Sequence, residues 1–263
     1  MADVEALLGD FTAECAELDA LVADLDPAEW ERDTPAPGWR IAHQIAHLTW
    51  TDEVAALAAT DPERFGKLVE EAAPRALTFV DEAAEEKART PARELLAEWR
   101  SRRTALVEAL RQVPAGTKLP WFGPPMSPAS MVTARLMETW AHGQDVADAL
   151  GVPRTPTARL RHIAHLGVRT RNYAYLVHGR SAPAEEFRVE LTAPDGSSWT
   201  WGPADATQRI SGPALDFCQL VTQRRHLDDL DLEVVGDDAI EWLGLAQAFA
   251  GPPGTGRTAG QFG

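Results

Sequence analysis

At 263 residues the chain can bury the core of one large domain or two modest ones, and 44% apolar with 25% charged residues excludes wholesale disorder. Acids outnumber bases 40 to 25, a formal charge of −15; this argues against a nucleic-acid partner, because such proteins bind by neutralising phosphates with Lys and Arg. No stretch reaches the roughly 18 uninterrupted apolar residues of a membrane span, and the opening Met1-Ala2-Asp3-Val4-Glu5 lacks the basic-then-apolar order of a signal peptide.

The two cysteines, Cys15 and Cys218, stand in apolar helical patterns rather than in disulfide or thiolate-zinc spacings, so a reducing cytoplasm is the expected compartment. Val4, Leu7, Leu8, Phe11, Cys15, Leu18 and Val22 repeat with helical period, and Asp26-Pro27 closes that segment. Thr34-Pro35-Ala36-Pro37-Gly38-Trp39 reads as a turn, because two prolines and a glycine deny helix and ladder alike. A second helix is expected from about Arg40 to Ala59, followed by an acidic, less regular region from Asp61 to Arg89. Pro91 opens an amphipathic segment carrying Leu95, Leu96, Trp99, Leu106 and Leu110 that ends near Gly116. Leu119-Pro120-Trp121-Phe122-Gly123-Pro124-Pro125 cannot be helical. Ser127-Pro128 then reads as a cap and first position of a helix that runs to Leu150, with Gly151 as its terminator.

A further helix is expected from about Thr155 to His178. Beyond it Phe187, Val189 and Leu191 alternate with Arg188 and Glu190, and the Asp195-Gly196 turn before Trp199 and Trp201 signals a hairpin. A helix near Pro213 to Gln223, a strand at Leu232 to Val235 and a helix near Asp238 to Phe249 complete the pattern. The expected organisation is α+β: a helical bundle over residues 1–180, a small α+β domain over 181–250 and a poorly ordered Gly/Pro/Thr tail over 251–263.

Two helical histidine segments carry the chemistry. Glu138 and His142, four apart, project from one helix face and could share an ion. Asp145, three further on, could orient His142. Arg135, three before Glu138, offers the plainer reading of an ion pair with it. His43 and His47 are also four apart, yet Ile45 and Leu48 half-bury them, and a lone histidine in such a place is more often a hydrogen-bonded core residue than a ligand. Facing helices of a bundle build metal sites from such pairs. His162, His165, His178 and His226 read as surface or helix-end residues. Phosphate loops, Gly-x-Ser-x-Gly elbows and His-Glu-x-x-His motifs do not occur.

Pro37-Gly38-Trp39-Arg40-Ile41-Ala42-His43-Gln44-Ile45-Ala46-His47-Leu48 resembles the start of the mycothiol-dependent maleylpyruvate isomerase N-terminal domain, one of the DinB-like metal-binding bundles. Glu138-Thr139-Trp140-Ala141-His142-Gly143-Gln144-Asp145 matches its second block, and the resemblance covers roughly residues 5 to 180. The implied fold is a DinB-like bundle with a four-helix core. The implied ligands of a divalent ion, usually zinc, are His47, Glu138 and His142. His43 stands where relatives are commonly acidic, which implies a group near the ion or substrate, or an alternative ligand. Ile210-Ser211-Gly212-Pro213-Ala214 and Val234-Val235-Gly236-Asp237 resemble the subgroup whose C-terminal domain is labelled wyosine-base-formation-like; the acidic charge argues against the tRNA link that label suggests.

The resemblance implies metal-assisted thiol chemistry, with mycothiol as cosubstrate, on a small electrophile by transfer or isomerisation. Asp145 would orient His142, His43 would stand beside the reacting groups, and Arg225 or Arg224 would meet a substrate carboxylate. Hydrolysis or lyase chemistry without a thiol, and non-catalytic binding of a small molecule, remain as alternatives. The expected partners are small molecules, with no nucleic acid and no membrane, for a monomer or homodimer.

Overall fold

The computed structural model describes residues 3–76 and 78–262. They form two compact units that divide between Arg154 and Thr155, earlier than the boundary expected near residue 180.

The first unit is helical. Its elements are α1 (Val4–Val22), α2 (Pro27–Trp30), α3 (Ile41–Thr60), α4 (Pro62–Ala72), α5 (Phe79–Lys87), α6 (Ala92–Arg111) and α7 (Pro128–Leu150). Four long helices, α1, α3, α6 and α7, make the core: α3 packs on α6 and α7, and α1 packs on α7. Start and stop signals act locally as their chemistry requires. Asp3 accepts from the Glu5 amide, Ser127 accepts from the Ser130 amide ahead of Pro128, and Gly151 ends α7 at φ 68°, a left-handed conformation that suits glycine. Helix α3 buries fourteen of its twenty residues, polar ones included. A helix buried nearly all round belongs at the centre of a core, and this one carries the first histidine segment.

The irregular acidic region resolves into α4, a single 3₁₀ turn at Ala73–Arg75, and α5. The proline-rich loop before α7 closes on itself through paired Leu119–Met126 backbone bonds of 2.8 and 2.9 Å. Trp121 and Phe122 thereby lie against Phe65, Trp50 and Phe79 as one aromatic cluster.

The second unit contains α8 (Leu160–Arg169), α9 (Arg171–Val177), β1 (Arg188–Thr192), β2 (Ser198–Trp201), β3 (Arg209–Pro213), α10 (Ala214–Val221), β4 (Glu233–Val235) and α11 (Asp237–Leu245). The single helix expected over Thr155 to His178 is in fact two. Thr170 bonds its own hydroxyl back to the Leu166 and Gly167 carbonyls, at 3.0 and 3.1 Å, and the chain bends there. The boundary moves because α8 packs on α10 and α9 on α11, so both belong to the second unit.

The sheet order is β2-β1-β3-β4. The expected hairpin is present, with Val189 opposite Trp201 and Leu191 opposite Trp199. Strand β3, not anticipated, runs parallel to β1 and antiparallel to β4. Its Gly212 sits at φ +147°, where a Cβ would lie 2.4 Å from the Asp231 carbonyl; glycine lets the strand pass that backbone. After α11 the chain is irregular, and the Gly260 amide donates to the Asp229 carboxylate at 2.8 and 3.0 Å. Among the described residues no helix is long and apolar enough to cross a membrane.

Candidate metal centre

Helices α3 and α7 bring His47, Glu138 and His142 together. His47 Nε2 lies 3.4 Å and His142 Nε2 3.2 Å from the same Glu138 oxygen, Oε2. One potential ligand atom from each residue lies within 4.8 Å of the others. Charge-assisted hydrogen bonds are usually shorter, about 2.7–2.9 Å. Ligands about 2.0–2.2 Å from a tetrahedral zinc stand roughly 3.3–3.6 Å apart, so the observed spacing suits donors grouped around a common point. Two imidazoles and a carboxylate also suit a divalent transition ion. The three residues therefore fit a bound ion.

Burial opposes ionisation of Glu138, but the His142 and His47 rings, which donate to it when they carry a proton on Nε2, outweigh burial and lower the carboxyl well below its usual range. The competing reading, in which Arg135 occupies Glu138, does not hold. Arg135 turns the other way to the buried Asp52, at 3.1 Å, and to Thr51 Oγ1, at 2.6 Å.

The Thr34–Trp39 turn closes over these histidines. The Thr34 amide donates to the Trp39 carbonyl at 2.8 Å, and Gly38 at φ +77° supplies the reversal. The Trp39 ring stacks on His142, centroids 5.8 Å apart and planes 18° apart, and lies 5.4 Å from His47. Its indole N–H donates to Asp81 on α5 at 3.2 Å. Gln44, fully buried, meets His142 Nδ1 through Oε1 at 2.5 Å. Neither Gln44 nor the covering role of Trp39 was anticipated. The available signal was a polar residue three positions before His47, on the same face of a helix otherwise apolar there.

The remaining candidates lie as follows. His43 is bound on both ring nitrogens: Nδ1 accepts from the Arg40 amide at 3.2 Å and Nε2 meets Glu85 at 2.8 Å, which lowers the Glu85 carboxyl. Asp145 is buried one turn beyond His142 on α7. Arg225, in the second unit, donates to the Arg224 carbonyl and covers the Phe262 ring at 3.7 Å. His165 accepts from Trp201 Nε1 at 3.1 Å, His178 Nδ1 meets the Ala174 carbonyl at 2.8 Å, and His226 accepts from the Asp228 amide at 3.2 Å. Cys15 and Cys218 are buried free thiols, and burial pushes both far above the usual thiol range.

Comparison with known proteins agrees with this architecture. The family model for the mycothiol maleylpyruvate isomerase N-terminal domain matches residues 11–147, and that for wyosine base formation matches residues 183–234. Uncharacterized proteins from two strains of Mycobacterium tuberculosis are each 60% identical over 257 residues, covering 98% of this chain and all of theirs. Crystal structures of mycothiol-dependent maleylpyruvate isomerase, as such and as a histidine-to-alanine mutant, match with TM-scores of 0.56 and 0.60 at 17% identity. They cover 84% of this chain and 90% of theirs, and they show a shared fold. On the match across more than half of its length, the chain belongs to the mycothiol maleylpyruvate isomerase N-terminal domain family.

Proposed function

We propose that this protein is a metal-dependent enzyme that uses a thiol, mycothiol by family membership, in transfer to or isomerisation of a small electrophile. The observation that carries the reading is the convergence of His47, Glu138 and His142 on one point. Two histidines and one carboxylate leave a coordination position open on a four-coordinate ion, as in catalytic rather than structural zinc sites. An ion bound there would lower the pKa of a coordinated thiol and supply thiolate at neutral pH.

The chain's own groups support a thiol delivered from outside. Cys15 and Cys218 are buried, with pKa values pushed up, so neither offers a nucleophile. Glu138, held ionised, keeps a negative charge between the two imidazoles. Trp39 covers the histidine ring faces and shields them from water.

The test combines metal analysis of desalted wild type and His142→Ala with turnover of electrophilic substrates in the presence and absence of added thiol. About one divalent ion per chain, lost in the variant, together with thiol-dependent turnover is the expected result. Turnover without thiol would favour a hydrolase or lyase. Ligand binding that persists without the ion, with no turnover, would favour a binding protein. Absence of metal uptake by the wild type would overturn the metal centre.

A further inference from the structure

We infer that Gln44, held in one orientation by Thr34, is a positioning residue that fixes His142 as the Nδ1–H tautomer and turns its Nε2 lone pair toward Glu138 and the proposed ion. The inference rests on that metal reading only for what Nε2 faces.

The chain of hydrogen bonds has one consistent direction. The Trp39 carbonyl can only accept, so the Thr34 hydroxyl, 2.7 Å away, donates to it. That hydroxyl has spent its single proton and therefore accepts from Gln44 across a 2.8 Å contact, which identifies the amide group there as Nε2. The other end of the same amide is then the carbonyl oxygen, and it faces His142 Nδ1 at 2.5 Å. A carbonyl oxygen accepts only, so Nδ1 carries the proton. In a neutral imidazole the remaining lone pair lies on Nε2, the nitrogen 3.2 Å from Glu138 Oε2. Gln44 is fully buried and Thr34 nearly so, which leaves little water to compete for these bonds. The backbone bond from Thr34 N to Trp39 O locks the turn that starts the chain. One short turn thus sets the direction of a proton three side chains away, while its Trp39 ring fixes the imidazole plane by stacking.

As a neutral amide, Gln44 orients the imidazole without adding charge of its own to the ligand set.

The test uses the full chain and its variants Gln44→Leu, Gln44→Glu and Thr34→Val, with circular dichroism establishing that each is folded. Two readouts are taken: the ¹⁵N pattern of His142 in metal-free protein at a pH where the ring is neutral, and zinc affinity by competition with a chromogenic chelator. Wild type should show Nδ1 protonated and Nε2 bare. Gln44→Leu should lose that preference and bind zinc roughly 10–100-fold more weakly. Gln44→Glu, which keeps an acceptor at the same place, should restore both. Thr34→Val, which leaves the amide free to turn, should fall between. An Nε2–H tautomer in the wild type, or a folded Gln44→Leu with unchanged tautomer and zinc affinity, would overturn the inference. The ¹⁵N pattern decides the tautomer even if the wild type binds no zinc, a result that would count against the metal centre instead.

Discussion

Arg135 on α7 reaches 3.1 Å to Asp52 on α3, and both side chains are almost completely buried. Burial pushes Asp52 up, and the Arg135 guanidinium beside it pulls the other way. Thr51, next in sequence, accepts from Arg135 at 2.6 Å and donates to the His47 carbonyl at 2.8 Å. The pair therefore fixes the register of the helix bearing His47 against the helix bearing Glu138.

Removing one partner should strand a buried charge. Arg135→Met is expected to lose about 3–5 kcal/mol, read by urea denaturation. The double variant Arg135→Met/Asp52→Leu should lose clearly less than the sum of its single changes. Additive losses would show that the two charges do not support one another.

The two histidines of α3 should separate cleanly. His43 serves the Arg40 amide and Glu85, so His43→Ala should retain the ion and lose roughly 1 kcal/mol of stability. His47→Ala should lose the ion. Metal analysis of both variants, alongside a melting curve, checks this; loss of metal from His43→Ala alone would make His43 the ligand.

Acid should loosen the contact between α1 and α6. Arg100 holds Asp19 at 2.6 and 2.9 Å and Arg103 holds it at 2.6 Å. The hydrogen bond from Arg100, opposed by burial and reinforced by Arg103, lowers the Asp19 carboxyl below its usual range. The stability it contributes is complete above the unfolded-state value, about 3.9, and is lost as pH falls through the folded value. Asp19→Asn should therefore cost about 1.5–3 kcal/mol at pH 7 and progressively less below pH 4. A cost independent of pH in urea titrations would contradict the ion-pair account.

Thiol reagents should find the native protein inert. Cys15 and Cys218 are enclosed and their thiolates disfavoured, so Ellman's reagent should label neither until denaturant is added, and then both. Cys15→Ala/Cys218→Ala should keep any thiol-dependent turnover. Rapid native labelling of either residue would reopen the question of an internal nucleophile.

Local rules made much of the bundle readable. Ser127-Pro128 and Gly151 bracket α7 because caps depend only on adjacent backbone, and the four-residue spacing of Glu138 and His142 is a property of any helix. The proposed ligand set itself came from motif resemblance, since spacing alone favoured an ion pair with Arg135 or a plain helix face over a ligand role for Glu138. What escaped depends on contacts distant in sequence. Gln44 meets a residue 98 positions away, and Arg135 chooses Asp52 83 positions away over a neighbour on its own helix. Strand β3 ends in Gly212-Pro213, residues that ordinarily disqualify a strand, and it is stabilised by pairing on both edges. Thr170 ends a helix through its own hydroxyl, a bond equally open to threonines that leave helices intact.

Because α3 buries fourteen of its twenty residues, the framework that carries the proposed ligand His47 and the folding core are one object. Sequence drift that alters that helix risks the whole bundle, so a lineage seeking a new substrate has its freedom elsewhere. The acidic stretch around α4 and α5 and the Trp121-Phe122 loop both border the same helix with far more exposed surface. Relatives that share the three ligands should diverge chiefly there, keeping one chemical engine behind interchangeable fronts.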